Sequence, residues 1–168
     1  LDVDAFDDPC HGQQQLVLFH GFYDQHQYLP IAFTCAENDL VVFIALRFGS
    51  CASFLGADDD LRYLARRLRA VWPDVEIVLR GDSGFGNPTM YNVCEELRIT
   101  YTFGIGMNSV LKKMSDELLE TAVAQFEATQ QPQRLFQSQM YRAGHAPVWN
   151  SLALTASPMS CLSGITRQ

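Results

Sequence analysis

The sequence predicts one α/β domain with a mixed sheet, and three observations support this fold class. The chain has 168 residues, of which 48% are apolar, and this size and composition are typical of one globular domain. Its first third is rich in segments with strand periodicity, whereas residues 58–71 change to helical periodicity. Strand-like and helix-like segments then alternate, so the element order is three strands, a helix, a strand, a helix and a strand.

The first strand is predicted at residues 1–5, where apolar and acidic residues alternate. This spacing places Asp2 and Asp4 on the same face. Two later segments rich in aromatic and branched residues, 15–23 and 28–35, are predicted to form strands. The apolar run at 40–46 is predicted to form a further strand or a buried edge. Residues 23–27 are the expected hairpin between the first two of these.

The clearest helix is predicted from Asp58, which can cap its start, to Pro73, which stops it. A short strand at 75–79 follows, and then a helix at 88–97 that Asn87 and Pro88 open. The remaining predicted elements are a strand at 100–105 and a helix at about 109–128 that Ser109 or Ser115 caps.

The charge distribution limits the functions that the chain can have. A net charge of -7 argues against a free-standing nucleic-acid binder, because neutralising phosphates needs clustered Lys and Arg. Four arginines lie within residues 62–69, a stripe that fits either DNA phosphates or a solvated helix face. The five cysteines and four histidines have no zinc-like spacing, so ordinary reduced thiols are expected. A nucleic-acid function therefore needs evidence from a specific site.

Two acidic positions could supply such a site. Asp82 ends a predicted buried strand and precedes a turn flanked by glycines, a place where α/β sheets often carry functional groups, although it could also only cap the turn. Asp4 lies on the first strand with Asp2. The alternative to a functional role for this pair is an edge strand whose acidic face is solvated. Two carboxylates carried by strands suit a hard divalent cation, and two such cations can catalyse phosphodiester displacement.

Three strings in the sequence resemble the DDE transposases of bacterial insertion sequences: LDVDAFDDPCHGQQQ at residues 1–15, HGFYDQHQYLPIAF at 20–33 and WPDVEIVLRGDSGFGNPTMYNVCEE at 72–96. This resemblance to the group 1 DDE transposase domain extends to about Tyr141. It implies an RNase H-like mixed sheet flanked by helices. It also implies that Asp4 and Asp82 are catalytic residues and ligands of Mg²⁺ or Mn²⁺, with Asp2 as the alternative first ligand. Phe6 stands where the family pattern has Thr.

The resemblance further implies a function in DNA transposition. Members of this group carry out metal-dependent phosphodiester hydrolysis and strand transfer at transposon ends, so transposon-end DNA is the expected partner. A homo-oligomer in the synaptic complex is also expected. Because the sequence has neither a leader nor a run of 18 apolar residues, a cytoplasmic protein without a membrane segment is expected.

The third acidic residue of such a site, a Glu expected after Trp149, is not present in the sequence. Residues 150–168 carry one charge, Arg167, and no clear periodicity, which favours a shifted reading frame near Trp149 over a divergent terminus. Residues 1–149 are therefore expected to be a partial catalytic domain, incomplete at its C-terminal end, and residues 150–168 a divergent tail. Leu1 in place of Met also favours a fragment. The chain is expected to be inactive, and the alternatives are a remnant that only binds DNA or a partner transposase, or an unrelated α/β binding domain.

Overall fold

The computed structural model describes residues 1–141, 149–157 and 160–167. The chain forms two compact units, Leu1–Thr100 and Tyr101–Gln168, and each is described by itself. Residues 142–148 lie outside the described residues. They come directly before Trp149, near which the sequence predicts that the family pattern breaks.

The elements of the first unit are β1 Asp2–Ala5, β2 Asp8–Pro9, β3 Leu18–His20, β4 Gln25–Tyr28, β5 Ile31–Cys35, β6 Leu40–Ala45, α1 Ala57–Val71, β7 Val78–Gly81 and α2 Pro88–Leu97. Four of the strands form the main sheet in the order β6-β5-β1-β7, and three form a small antiparallel sheet in the order β2-β4-β3. Strand β1 pairs antiparallel with β5 and parallel with β7, so the main sheet is mixed, as expected.

Apolar residues of the strands and helices form the core of this unit. Val3 is 3% exposed, and Phe33 and Leu79 are fully buried, so all three central strands contribute a side chain. The buried residues of α1, Leu61, Leu64 and Ala65 among them, lie on one face of the helix because they recur every three to four positions. Burial of this stripe explains why the helical periodicity of residues 58–71 is so clear in the sequence.

The described elements of the second unit are β8 Thr100–Gly104, α3 Ser109–Thr129, β9 Leu135–Tyr141, β10 Trp149–Ser157 and β11 Ser160–Arg167. Its strands pair antiparallel in the order β8-β11-β10-β9, and α3 is a long helix of 21 residues. The segment 150–168, for which the sequence showed no clear periodicity, thus contains two strands that pair with each other from Leu152↔Ile165 to Ser157↔Ser160.

The structure corrects several element boundaries. The strand expected at 15–23 is reduced to β3, because Leu16 has a positive φ of 65° and residues 21–24 form a turn. The strand expected at 28–35 is interrupted at Pro30, which has no N–H to donate to a sheet. Strand β7 begins at Val78 rather than at residue 75. The apolar run at 40–46 is an exposed edge strand rather than a buried one, with Leu40 61% exposed.

The helix caps also differ from expectation at two of three positions. Gly56, with a positive φ of 76°, precedes α1, and Asp58 makes no capping hydrogen bond. Asn108, rather than Ser109 or Ser115, caps α3, because its side chain accepts hydrogen bonds from the backbone amides of Val110 and Leu111. Asn87 caps α2, as the sequence predicted. Ser, Asp and Asn have similar preferences for the cap position, so the sequence alone does not decide which of several neighbouring candidates stands directly before the first helical residue.

Candidate active site

Asp4 and Asp82 lie at the same edge of the main sheet. The parallel pairing of β1 with β7 matches Asp2 with Arg80 and Val3 with Gly81. The residues that follow these pairs in the chain are Asp4, within β1, and Asp82, directly after β7. Because the carboxyl ends of parallel strands meet at one edge of a sheet, the two carboxylates are brought together there, and both residues are exposed.

Each of these carboxylates is oriented by a backbone amide. Asp4 Oδ1 accepts a hydrogen bond of 2.8 Å from the amide of Ala5, and Asp82 Oδ1 accepts one of 2.8 Å from the amide of Gly84. The turn after β7 is closed by a further hydrogen bond of 3.2 Å from the Phe85 amide to the Asp82 carbonyl. Within the described residues, no side chain donates a hydrogen bond to either carboxylate, so each retains capacity for a ligand.

Asp2 occupies a different environment, although it shares a face of β1 with Asp4. The Arg80 guanidinium donates two hydrogen bonds to it, from Nε at 2.6 Å and from Nη2 at 2.5 Å. These bonds hold the pKa of the Asp2 carboxyl below its ordinary value of 3.8, and they raise the pKa of Arg80. A carboxylate bound in this bidentate manner is already neutralised by its partner.

The loop before α1 forms one side of the site. A Cβ atom placed on Gly84 would lie 3.0 Å from both Asp82 Oδ1 and Ser53 Cβ, so the Ser53 side chain approaches the Asp82 turn closely. Arg47 holds this loop, because its Nη1 donates to the carbonyls of Ser53 at 2.8 Å and Leu55 at 2.9 Å. Burial lowers the pKa of the Arg47 guanidinium, yet it stays charged at any physiological pH.

The segment after β1 and the hairpin of β3 and β4 contain two residues near these carboxylates that sequence reasoning missed, Asp7 and Tyr23. Gln25 Nε2 donates to Asp7 Oδ2 at 2.9 Å and to Oε1 of the fully buried Gln27 at 2.8 Å, which ties the hairpin to the segment after β1. Tyr23, in the turn, has a pKa above its ordinary value of 10.0, first because of burial and then because of the negative charges of Asp7, Asp4 and Asp82. The signals that could have found Asp7 and Tyr23 are the acidic pair at residues 7–8 and the HGFYD string.

The arginine stripe of α1 and several other polar residues lie in structural or solvated positions. His20 Nδ1 accepts a hydrogen bond of 3.3 Å from the amide of Phe22, so this histidine has a structural partner. In the arginine stripe of α1, Arg62 forms an ion pair with Glu96, and the Arg66 guanidinium lies 5.9 Å from the centre of the Tyr63 ring. The three glutamates of α3 are exposed and have the positions of a solvated helix face: Glu117, Glu120 and Glu127.

The donor set at the sheet edge consists of oxygen atoms. In residues 1–141 and the two later described segments, no group of three or more His, Cys, Asp or Glu side chains is arranged to hold a metal ion. Two neighbouring carboxylates nevertheless fit one hard cation such as Mg²⁺, which takes one or two carboxylates and completes its coordination with water and substrate phosphate.

A family model described as transposase DDE domain, group 1, matches residues 1–152. The chain belongs to this transposase DDE domain family. No curated protein and no solved structure matches the chain. The α/β architecture, with its mixed sheet and three helices, agrees with the RNase H-like DDE domain that the resemblance implied.

Membership of the transposase DDE family assigns the chain to DNA transposition and recombination. DDE transposases in general transfer phosphoryl groups on DNA with the help of divalent metal ions, bind transposon ends and act as oligomers. Across the described parts of this family member, no helix has both the length and the apolar character needed to cross a membrane.

Proposed function

We propose that Asp4 and Asp82 are the first two metal-binding carboxylates of a DDE site whose substrate is transposon-end DNA. The observation that carries this proposal is the register of β1 and β7, which matches Val3 with Gly81 and so brings the next residues, Asp4 and Asp82, to one edge of the sheet. Family membership supports it, because the carboxylates of DDE sites bind the divalent ions that phosphoryl transfer on DNA requires.

The environment of Asp2 supports Asp4, rather than Asp2, as the first ligand. Arg80 neutralises Asp2 through two hydrogen bonds, and a cation would have to displace the guanidinium to reach it. Among the described residues, Asp4 accepts a hydrogen bond only from the backbone amide of Ala5. This donor is neutral, so the negative charge of the Asp4 carboxylate is not compensated. A divalent ion is therefore attracted more strongly to Asp4 and Asp82 than to Asp2.

Mg²⁺ or Mn²⁺ is the cofactor that we propose for this site. When bound, such an ion activates the attacking oxygen and stabilises the leaving oxygen of the phosphodiester. The chain itself would contribute orientation, since the amides of Ala5 and Gly84 fix one oxygen of each carboxylate and leave the other oxygen for the ion. Hydrogen bonds of this kind hold metal ligands in a geometry that suits the ion.

We further propose that this chain neither cleaves DNA nor transfers strands. Two carboxylates compensate too little of the positive charge of two divalent ions, and the described residues supply no third group to the arrangement. Residues 1–149 are then a partial catalytic domain, and residues 150–168 are a divergent tail that carries no acidic side chain. Binding of transposon-end DNA and self-association belong to the same proposal.

Titration with Mn²⁺ tests the metal site directly. We expect the folded chain to bind Mn²⁺ in isothermal titration calorimetry, and the Asp4→Asn and Asp82→Asn variants to lose most of this binding. Asp74→Asn is the matched control, because Asp74 is an exposed aspartate in the loop before β7 and its replacement changes the net charge equally. Asp2→Asn is expected to bind almost as tightly as the wild type. Equal binding by the wild type, Asp4→Asn and Asp82→Asn would refute the assignment.

A cleavage assay tests the expected inactivity. Incubating the chain with Mn²⁺ and terminal inverted-repeat DNA should leave both strands intact. Strand cleavage that disappears in Asp82→Ala would show that the chain is an active enzyme and would overturn this part of the proposal.

A further inference from the structure

The solvent side of α1 carries three arginines for which the described part of the chain provides no acidic partner. Arg66 and Arg67 are exposed, and Arg69 is half-buried. Arg62, one turn earlier, is the contrast, because Glu96 of α2 neutralises it in an ion pair. No ion pair within the described residues joins a carboxylate to any of the other three arginines. Arg66, Arg67 and Arg69 therefore form a basic patch.

Neighbouring positions on the helix do not compensate the charge of the basic patch. Residues three and four positions apart are neighbours on a helix surface, where an acidic side chain can pair with a basic one. No Asp or Glu stands at such a position relative to the three arginines, and Arg66 has another arginine at two of its four positions. The acidic residues of α1, at 58–60, all lie in its first turn. The positive charge of the patch is thus available to an anion from outside the chain.

An aromatic ring holds one of these guanidinium groups in place. The guanidinium carbon of Arg66 lies 5.9 Å from the centre of the Tyr63 ring, which is within the range of a cation–π contact. The Tyr63 ring in turn packs against Phe43 of β6, with ring centres 6.1 Å apart. A ring contact of this kind restricts the guanidinium but leaves its N–H donors free. Those donors form a planar fork that matches the oxygens of a phosphate.

The basic patch stands in contrast to the charge of the whole chain. A net charge of -7 repels a polyanion, and the exposed carboxylates of Asp4 and Asp82 add to this repulsion at the sheet edge. Charges farther away than about 8 Å are largely screened at physiological salt, so clustered arginines can attract phosphates locally despite the net charge. Charge complementarity therefore favours a polyanion as the partner of this face.

The basic patch lies within reach of a duplex held at the acidic edge. Helix α1 begins near that edge, because the Ser53 side chain in the preceding loop approaches the Asp82 turn closely. With a rise of about 1.5 Å per residue, the patch lies about 14 to 18 Å along the helix from Ala57, which is the axial length of about four or five base pairs.

We propose that the basic patch binds the phosphate backbone of DNA and holds a duplex beside the Asp4–Asp82 site. This inference rests on the proposed DNA substrate and deepens it by naming a surface of the chain that contacts the DNA. Contacts between arginine and phosphate position a duplex without reading its sequence. The patch therefore contributes equally to the binding of transposon ends and of unrelated DNA.

DNA affinity measured at several salt concentrations tests this role. We use the fluorescence anisotropy of a labelled duplex in the presence of EDTA, so that no metal ion contributes. Arg66→Gln and Arg67→Gln should each weaken binding and reduce the slope of log affinity against log salt by about 0.9, and the double variant by about twice as much. These losses should be the same for terminal inverted-repeat DNA and for a duplex of unrelated sequence.

Two further variants serve as controls. Lys113→Gln removes one positive charge from α3, where Lys113 is exposed and no described carboxylate forms an ion pair with it, so its DNA affinity should equal that of the wild type. Arg67→Lys retains the charge and should retain the salt slope. Melting temperatures followed by circular dichroism should match the wild type in all of these variants, because none of them breaks an ion pair.

The possible failures of this inference and of the proposed function are distinguishable. If the wild type binds DNA and the arginine variants bind equally well, or if Lys113→Gln loses as much affinity as they do, the inference is wrong while the proposed DNA partner remains. A double variant that keeps its DNA affinity but loses self-association in sedimentation would assign the patch to a second copy of the chain and overturn the inference. A wild-type chain that binds no DNA would overturn the inference and the proposed DNA partner, whereas Mn²⁺ titration tests the metal site separately.

Discussion

Arg80 holds Asp2 through two hydrogen bonds, of 2.6 Å from Nε to Oδ1 and 2.5 Å from Nη2 to Oδ2. The two residues are matched in the parallel register of β1 and β7, so the ion pair lies directly beside the Asp4–Asp82 site. It distinguishes two aspartates that the sequence places on the same face of one strand. Asp2 is paired, whereas Asp4 retains capacity for a ligand.

Removing this ion pair should have a small effect on stability. Both side chains are partly exposed, by 57% for Arg80 and 36% for Asp2, so water already screens their attraction. We expect Arg80→Gln to lower the free energy of unfolding by about 1 kcal/mol or less, as measured by urea denaturation. The difference from the wild type should shrink further in 1 M salt. A loss that is several times larger and independent of salt would mean that Arg80 has another role.

The ion pair of Arg62 with Glu96, which joins α1 to α2, predicts a dependence of stability on pH. The hydrogen bond from Arg62 lowers the pKa of Glu96 below its ordinary value of 4.5. A carboxyl whose pKa is lower in the folded state stabilises the fold above its unfolded value, and this contribution disappears as the pH falls through the folded value. Wild type should therefore be more stable than Glu96→Gln at pH 7 and equally stable well below pH 4.5, in thermal unfolding across that range. A difference that persists in acid would contradict this cause.

Gly49 should tolerate no larger residue. A Cβ atom at this buried position would lie 1.8 Å from the carbonyl oxygen of Gln27 and 2.5 Å from that of Leu18, and both are backbone atoms of the small sheet. We expect Gly49→Ala to destabilise the chain by about 3 kcal/mol in chemical denaturation, since the strands must move. Gly21→Ala is the control, because a Cβ there would have no heavy atom within 4 Å. Equal stabilities of the two variants would contradict this packing.

Gly84 should affect the site more than the fold. A Cβ atom at this position would lie 3.0 Å from Asp82 Oδ1, which can rotate away, and 3.0 Å from Ser53 Cβ, from which the loop before α1 must shift slightly. We therefore expect Gly84→Ala to cost about 1 kcal/mol of stability, while Mn²⁺ binding in calorimetry weakens because the carboxylate is displaced. Mn²⁺ affinity equal to that of the wild type would show that Asp82 does not need this orientation.

The cap of α3 gives a prediction that separates two neighbouring residues. Asn108 Oδ1 accepts hydrogen bonds of 3.0 Å from the amides of Val110 and Leu111. Asn108→Ala should therefore cost about 1 kcal/mol, measured by thermal unfolding followed by circular dichroism. Ser109→Ala should cost much less, because Ser109 is the first residue of the helix rather than its cap. The reverse order of the two losses would restore Ser109 as the cap.

Much of the fold followed from local patterns in the sequence. The helical periodicity of residues 58–71 predicted α1, and Asn87 with Pro88 predicted the start of α2, because both signals depend on neighbouring residues only. The boundaries of β3 and β4 could not be predicted in this way. They depend on the pairing of Leu18 with Gln27 and of Asp8 with Tyr28, and pairing partners are set by the whole sheet.

The two carboxylates illustrate the same division within the site. Strand alternation and the family resemblance indicated Asp4 and Asp82, with Asp2 as the alternative. Neither signal could assign Arg80 to Asp2, because that contact joins residues 78 positions apart in the sequence. Asp7 and Tyr23 were missed for a related reason, since both lie outside the strands that carry the two aspartates: Asp7 follows β1, and Tyr23 lies in the turn between β3 and β4.

The sequence by itself determined the α/β class, the order of the main elements, the family and the two aspartates at strand ends. These features depend on residue periodicity and on short motifs, which local chemistry is sufficient to encode. Only the tertiary structure decided which aspartate Arg80 neutralises and that β6 is an exposed edge strand. Those features arise from long-range strand register, because a sheet brings together side chains whose distance along the chain carries no information about their proximity.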